Sequence, residues 1–306
     1  MSDKADLSIK GESIQSLYGS YLKEIFLVNR RHQRKLVWTL EEKQSFLDSI
    51  LNGYPVPLVL LAEVKGEFGR KLEIIDGMQR MNAIMSFIDQ EFDVNGKYFD
   101  LDTMADTKFL KDNRDLKQKE YILDREICAD IVRYQIPLSV YQESGGNHID
   151  EVFRRLNSGG RHLSKQELRQ AGAVSKFASI VRKLASNIRG DSSASDILNL
   201  NSMKNISITN RNLEYGISVE YIFWVKNNII TKEALRQSQD EEAIADIVAW
   251  VSSDKGLRSS SDILNQLYNF NSDSSEETSI SNAIEIQIKK LMKILLAPIF
   301  HLFLIT

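Results

Sequence analysis

The chain is 306 residues long, 42% hydrophobic and 26% charged, with a formal net charge of −3. That is enough for one large core or two modest ones. The near-balanced charge excludes a protein whose whole surface attracts nucleic acid, so any such contact has to come from a local patch.

Met1 to Lys10 is polar and has no apolar segment of the kind a secretory signal needs. Cys128 is the single cysteine; there is no disulfide framework or cysteine-built zinc site, and a cytoplasmic location is expected. Tyr21 to Val28 alternates loosely and predicts a strand. A basic stretch follows, with Arg30, Arg31, His32, Arg34 and Lys35. It is either a solvated loop or a patch for the phosphates of DNA, RNA or a nucleotide, where each contact releases counterions. Trp38 either anchors the next helix or stacks on a base. In that helix Thr39 and Glu42 compose a capping box, Phe46, Leu47, Ile50 and Leu51 form one apolar face, and Gly53 ends it.

Val56 to Leu61 and Leu72 to Ile75 predict strands, with Gly66 and Gly69 in the turn between them. Asp76 opens a helix with Met78, Met81, Met85 and Ile88 at helical spacing, while Gln79, Arg80 and Asn82 fall off that stripe. Asn95-Gly96 is a hairpin turn signal. Met104 to Asp130 predicts short helical pieces, and Ile131 to Tyr141 one or two strands around Pro137. A helix from about Ile149 runs through Val152, Phe153 and Leu156 to Gly159-Gly160. Ser164 and Glu167 then make a second capping box, flanked by Leu163 and Leu168 at staple positions. Beyond Ala173 the chain reads as helical, with polar breaks near 190–195, 252–261 and 271–281. Leu291 to Thr306 is strongly apolar but shorter than the ~18 residues that span a bilayer; it contains Lys293 and His301 and predicts a helix packed on the protein, with a membrane anchor as the minor reading. The fold class expected is α+β, a small mixed sheet with helices over residues 1–172 and a mainly α-helical domain over 173–306.

The sharpest chemistry lies at Asp76-Gly77-Met78-Gln79-Arg80. In one reading Asp76 is the N-cap of the helix, with Gln79 at N3, and satisfies the first-turn N–H groups. In the other, a phosphate sits at that turn: Asp76 binds Mg²⁺ or orients a water, while Arg80 and the Gly77 N–H hold phosphate oxygens. In Phe153-Arg154-Arg155-Leu156-Asn157, Phe153 and Leu156 lie on the core stripe, so Arg155 and Asn157 project elsewhere. Convergence with Arg80 is what would give them a role. The four histidines lack metal-ligand spacing, and no H-E-x-x-H, G-x-x-x-x-G-K-[ST] or G-x-S-x-G occurs.

Three blocks carry a family resemblance. They are Gln33-Arg34-Lys35-Leu36-Val37-Trp38; Asp76-Gly77-Met78-Gln79-Arg80; and Phe153-Arg154-Arg155-Leu156-Asn157, continued by Gly159-Gly160, Leu163-Ser164 and Glu167-Leu168. In order and spacing they resemble the N-terminal domain of GmrSD-type restriction endonucleases, a ParB/sulfiredoxin-like family. Met78 stands where that family usually has the first Gln of D-G-Q-Q-R. The resemblance implies a module of prokaryotic anti-phage defence that binds and hydrolyses NTP with Mg²⁺ or Mn²⁺ and senses or acts on foreign or modified DNA. Asp76, Gln79 and Arg80 would be catalytic, with Asp76 also meeting the metal. Gly77, Gln33, Arg34, Arg155 and Asn157 would bind the nucleotide, and Arg30, Arg31 and Lys35 would face DNA. The expected partners are NTP, DNA and a partner or fused nuclease, with no membrane. The alternative is a non-catalytic DNA-binding or regulatory subunit that works with a partner nuclease.

Overall fold

Helical and extended periods alternate along the first part of the chain, and the elements follow them. The computed structural model describes residues 7–31, 35–66, 69–142, 164–171, 173, 175–191, 193, 195–208, 216–251 and 260–269. In chain order the first elements are β1 (Leu7–Ser13), α1 (Ile14–Leu22), β2 (Phe26–Asn29), α2 (Leu40–Leu51), β3 (Val59–Gly66) and β4 (Gly69–Asp76). Next come α3 (Met78–Ile88), α4 (Ala105–Asp112), α5 (Arg125–Arg133) and β5 (Gln135–Gln142). A short strand, β6 (Ile197–Asn199), follows much later.

These strands form one six-stranded mixed sheet in the order β1-β5-β3-β4-β2-β6. The β3–β4 hairpin is its centre, with Gly66 opposite Gly69. Parallel partners lie on both sides of the hairpin, β5 beside β3 and β2 beside β4, and antiparallel edges close the set. The fold class is α+β, as expected. Three strand starts are corrected: β3 begins at Val59 and not Val56, Ile131 belongs to α5 with β5 beginning at Gln135, and Tyr21 belongs to α1 with β2 beginning only at Phe26. Ile14, Leu17, Tyr18 and Tyr21 have helical spacing and form the buried face, and Ser13 caps the helix by accepting from the Ser16 N–H at 3.2 Å. The local alternation that suggested a strand lost to that longer period.

Helix α3 is the core of this part. Met81, Ala83, Ile84, Met85, Phe87 and Ile88 are all essentially inaccessible, so the helix is enclosed on most sides and not on one stripe alone. It packs against α1 and α2, and Phe87 meets the rings of Phe92 and Phe99 at 5.8 and 6.0 Å. Each such side chain contributes roughly 1.5–3 kcal/mol by leaving water. Thr39 and Glu42 make the expected capping box on α2. Asn95 (φ 54) and Gly96 (φ 74) are both left-handed and form the expected turn, with Val94 bridged to Lys97.

The contacts divide the chain into two units, Met1–Leu156 with Ala194–Val219, and Asn157–Ser193 with Glu220–Thr306. The expected boundary at 172/173 falls inside the second unit. The first unit regains chain after residue 193 because β6 pairs with β2, and Leu200, Met203 and Ile206 enter the first core. The second unit is helical in its described residues: α6 (Lys165–Gln170), α7 (Lys176–Arg189), α8 (Phe223–Lys226), α9 (Lys232–Arg236), α10 (Gln239–Val251) and α11 (Ser261–Asn269). Ser164 and Glu167 cap α6 reciprocally, as expected. Arg169 ties α6 to Glu242 at 2.8 Å and to Asn265 at 2.9 Å. Arg189 grips both carboxylate oxygens of Asp240, at 2.6 and 2.8 Å, and Glu241 at 2.7 Å, all of them buried. Leu163, the helix expected from Ile149, and Leu291 to Thr306 lie outside the described residues. No described helix is long and apolar enough to cross a membrane.

Candidate functional site

Strand β4 does not run straight into α3. Its register on β3 slips at its end: Leu60 is opposite Asp76, whereas Leu61 is opposite Ile74, which leaves Ile75 as an extra residue. A bulge of this kind re-aims the chain that follows it. The next residue, Gly77, has φ 102°, in the left-handed region that favours glycine. A Cβ there would also lie 2.8 Å from Cγ2 of Val59. Both the conformation and the close approach therefore require Gly at this turn.

Gly77, and not Asp76, is the N-cap of α3, and no side chain caps the helix. This overturns the expectation that Asp76 satisfies the first-turn amides. The N–H groups of Met78, Gln79 and Arg80 stay without a side-chain cap, at the positive end of the helix dipole. Asp76 turns instead to Arg80, whose Nη2 donates to its Oδ2 at 2.6 Å. The carboxylate is 56% exposed and the guanidinium 11%, so the acid faces solvent with the cation tucked behind it. Asp76 is the only acceptor Arg80 has among the described residues, and a guanidinium carries five N–H donors in a fixed fork that matches an oxyanion. Met78 is 3% exposed and sits in the core. Its position serves packing, so a thioether there removes no amide from the face of the turn.

Gln79 is engaged elsewhere. Its Oε1 accepts from the N–H groups of Val37 at 3.0 Å and Trp38 at 3.2 Å, and its Nε2 donates to the Lys35 carbonyl at 3.0 Å. Two N–H donors facing one atom require that atom to be the oxygen, which fixes the orientation of the amide. The second block thus holds the first. Trp38 meets Phe46 edge-on, with centroids 5.5 Å apart, and so anchors α2.

The basic stretch is less exposed than its composition suggests. Arg30 is 8% and Lys35 6% exposed. The Arg30 N–H donates to the Asp196 carbonyl at 2.7 Å, and its Nη1 donates to Ser195 O at 3.3 Å. The returning chain around β6 covers this cation. The Arg31 side chain is 42% exposed, and its Nε lies 3.6 Å from the Asp196 carboxylate. Of the three residues assigned to DNA, Arg31 alone keeps substantial surface. Gln33, Arg34, Arg155 and Asn157 lie outside the described residues.

Among the described residues no group of three or more His, Cys, Asp or Glu side chains forms a metal cluster. Asp76 brings one exposed carboxylate to the turn. Mg²⁺ is commonly held by one or two carboxylates with phosphates and waters, so this donor set fits an ion that shares its ligands with a nucleotide.

A second polar feature, absent from the sequence reading, lies at the opposite end of α3. Asp89, the C-cap, accepts from the hydroxyls of Tyr18 at 2.6 Å and Tyr21 at 3.1 Å. Burial, reinforced by the nearby Glu91 carboxylate, raises its pKa to about 6 against the stabilising tyrosine bonds. It lines a cavity of about 360 Å³ with Leu110, Asp115, Asn201 and Lys204. A carboxylate at a helix C-terminus opposes the dipole; the two tyrosines, three apart on α1, were the signal available for it.

The family model described as GmrSD restriction endonuclease, N-terminal domain, matches residues 14–173. No curated protein matches the chain.

Proposed function

Since the chain belongs to the GmrSD restriction endonuclease N-terminal domain family, and so to a restriction, anti-phage system, we propose that its first unit binds and hydrolyses a nucleoside triphosphate at the Asp76–Arg80 turn. The observation that carries this reading is the uncapped start of α3, entered through Gly77 and backed by the Arg80 guanidinium. Backbone N–H groups, a helix dipole and an arginine fork converge there as an anion site. A terminal phosphate competes with Asp76 for Arg80. As the phosphate draws the guanidinium away, the Asp76 carboxylate is released to orient the attacking water. Asp76 would also hold a divalent cation, which would supply positive charge to offset that on the transferred group. Arg80 then holds the equatorial oxygens, where charge accumulates. DNA contact falls to Arg31 and its neighbourhood, since Arg30 and Lys35 are buried.

The test is phosphate release from ATP, GTP and CTP with Mg²⁺, with and without duplex DNA. The wild type is expected to turn over at least one of the three, and Arg80→Ala to lose about 100-fold or more, the scale of removing one donor from developing charge. A folded wild-type chain that neither binds nor cleaves any of them rejects the proposal.

A further inference from the structure

The Lys35–Trp38 segment has no helix or strand of its own. Its main-chain groups must still find partners, and Gln79 supplies them. A side-chain amide carries the same carbonyl and N–H as a peptide group, so it can stand in for a neighbouring strand. Three of its four hydrogen-bonding sites are used on Val37, Trp38 and Lys35. The rest of the segment is fixed as well: Leu36 is fully buried, its carbonyl accepts from the Ile208 N–H at 3.2 Å, and Trp38 packs on Phe46. Gln79 is also the second residue of α3. Its main-chain N–H lies in the uncapped first turn, while its side chain grips a segment 41 to 44 residues earlier.

We infer that Gln79 is a positioning residue, whose amide locks the Lys35–Trp38 segment onto the Asp76–Arg80 turn and does not itself act on the nucleotide. The inference rests on the nucleotide reading of that turn. It assigns one residue two duties, main chain toward the phosphates and side chain toward the stretch that follows the basic residues. A shift of the first turn on ligand binding is therefore passed directly to that stretch.

The experiment compares the full chain with Gln79→Leu, which keeps the bulk and loses every bond, and Gln79→Glu, which keeps the oxygens that accept from Val37 and Trp38. Hydrogen exchange is followed at Lys35–Trp38 and at Met81–Ile88. Affinity and turnover are measured with ATP, GTP and CTP. In Gln79→Leu the Val37 and Trp38 amides should exchange about tenfold faster while Met81–Ile88 stays protected. Nucleotide Kd should weaken about tenfold, with kcat at saturation within about threefold of the wild type. Gln79→Glu should recover part of both losses. Unchanged exchange at Val37 and Trp38 overturns the inference, and so does a large fall in kcat at unchanged Kd, the signature of a group on the reacting atoms. If the wild type binds no nucleotide, the proposed function fails and the positioning role fails with it. Faster exchange in Gln79→Leu would then place that failure at the turn, with the clamp intact.

Discussion

Gly77 makes the candidate site possible, and its importance is physical twice over. A Cβ would meet Val59 at 2.8 Å, and φ of 102° strains any L side chain. Gly77→Ala should therefore lower stability by at least about 2 kcal/mol in urea denaturation. Shortening Val59 to Ala in the same chain should recover only part of this, because it relieves the clash and leaves the dihedral. A change under about 0.5 kcal/mol would mean that the turn relaxes freely. At this scale the sequence was informative about which residues matter and poor on what they do. The Asp-Gly-x-Gln-Arg order marked the turn, since a glycine between strand and helix is a local signal. The duty of Gln79 was hidden because its partners are 41 to 44 residues away. The burial of Arg30 was hidden for the same reason, its cover being Ser195 and Asp196. A run of cations reads as surface until the distant chain that covers it is known.

Among the elements, α3 separates two chemistries, an uncapped N-terminus at the candidate site and an acid at its far end. Asp89 titrates near pH 6 when folded, against 3.8 for the ordinary group. The folded chain thus holds this proton more tightly than the unfolded chain does. Its contribution to stability is full below about pH 4 and is lost as pH rises through about 6, on the order of 3 kcal/mol in all. Tyr18, Tyr21, Glu91 and Lys204 are the charged or titratable groups that bear on it. Asp89→Asn should flatten the difference in unfolding free energy between pH 4.5 and pH 7, measured by urea titration. An unchanged difference would place the pH dependence elsewhere. Elements with local signatures were legible: the capping boxes at Thr39 and Ser164 and the Asn95-Gly96 turn all formed. The edge strands β1 and β6 were not, because their pairing with β5 and β2 depends on residues more than a hundred positions away. The three residues of β6 also carry too little periodicity to announce themselves.

In the whole molecule, the family match ends at residue 173, whereas the first unit does not. Ala194–Val219 returns to it, supplying an edge strand to β2 and placing Leu200, Met203 and Ile206 in the core. The same stretch covers Arg30 and, through Asn199 and Asn201, bonds Glu24 at 3.0 Å. A fragment excised as residues 14–173 would consequently behave as a protein missing its keystone. It should bind a dye specific for exposed apolar surface and lose the near-ultraviolet circular dichroism of a fixed interior, whereas the full chain should do neither. Equal behaviour of the fragment and the full chain would mean that the returning stretch is ornament. Because one unit's polypeptide is threaded between the two pieces of the other, neither can be trimmed, swapped or replaced as a simple cassette, and a recombination event at the matched boundary would inherit half a fold.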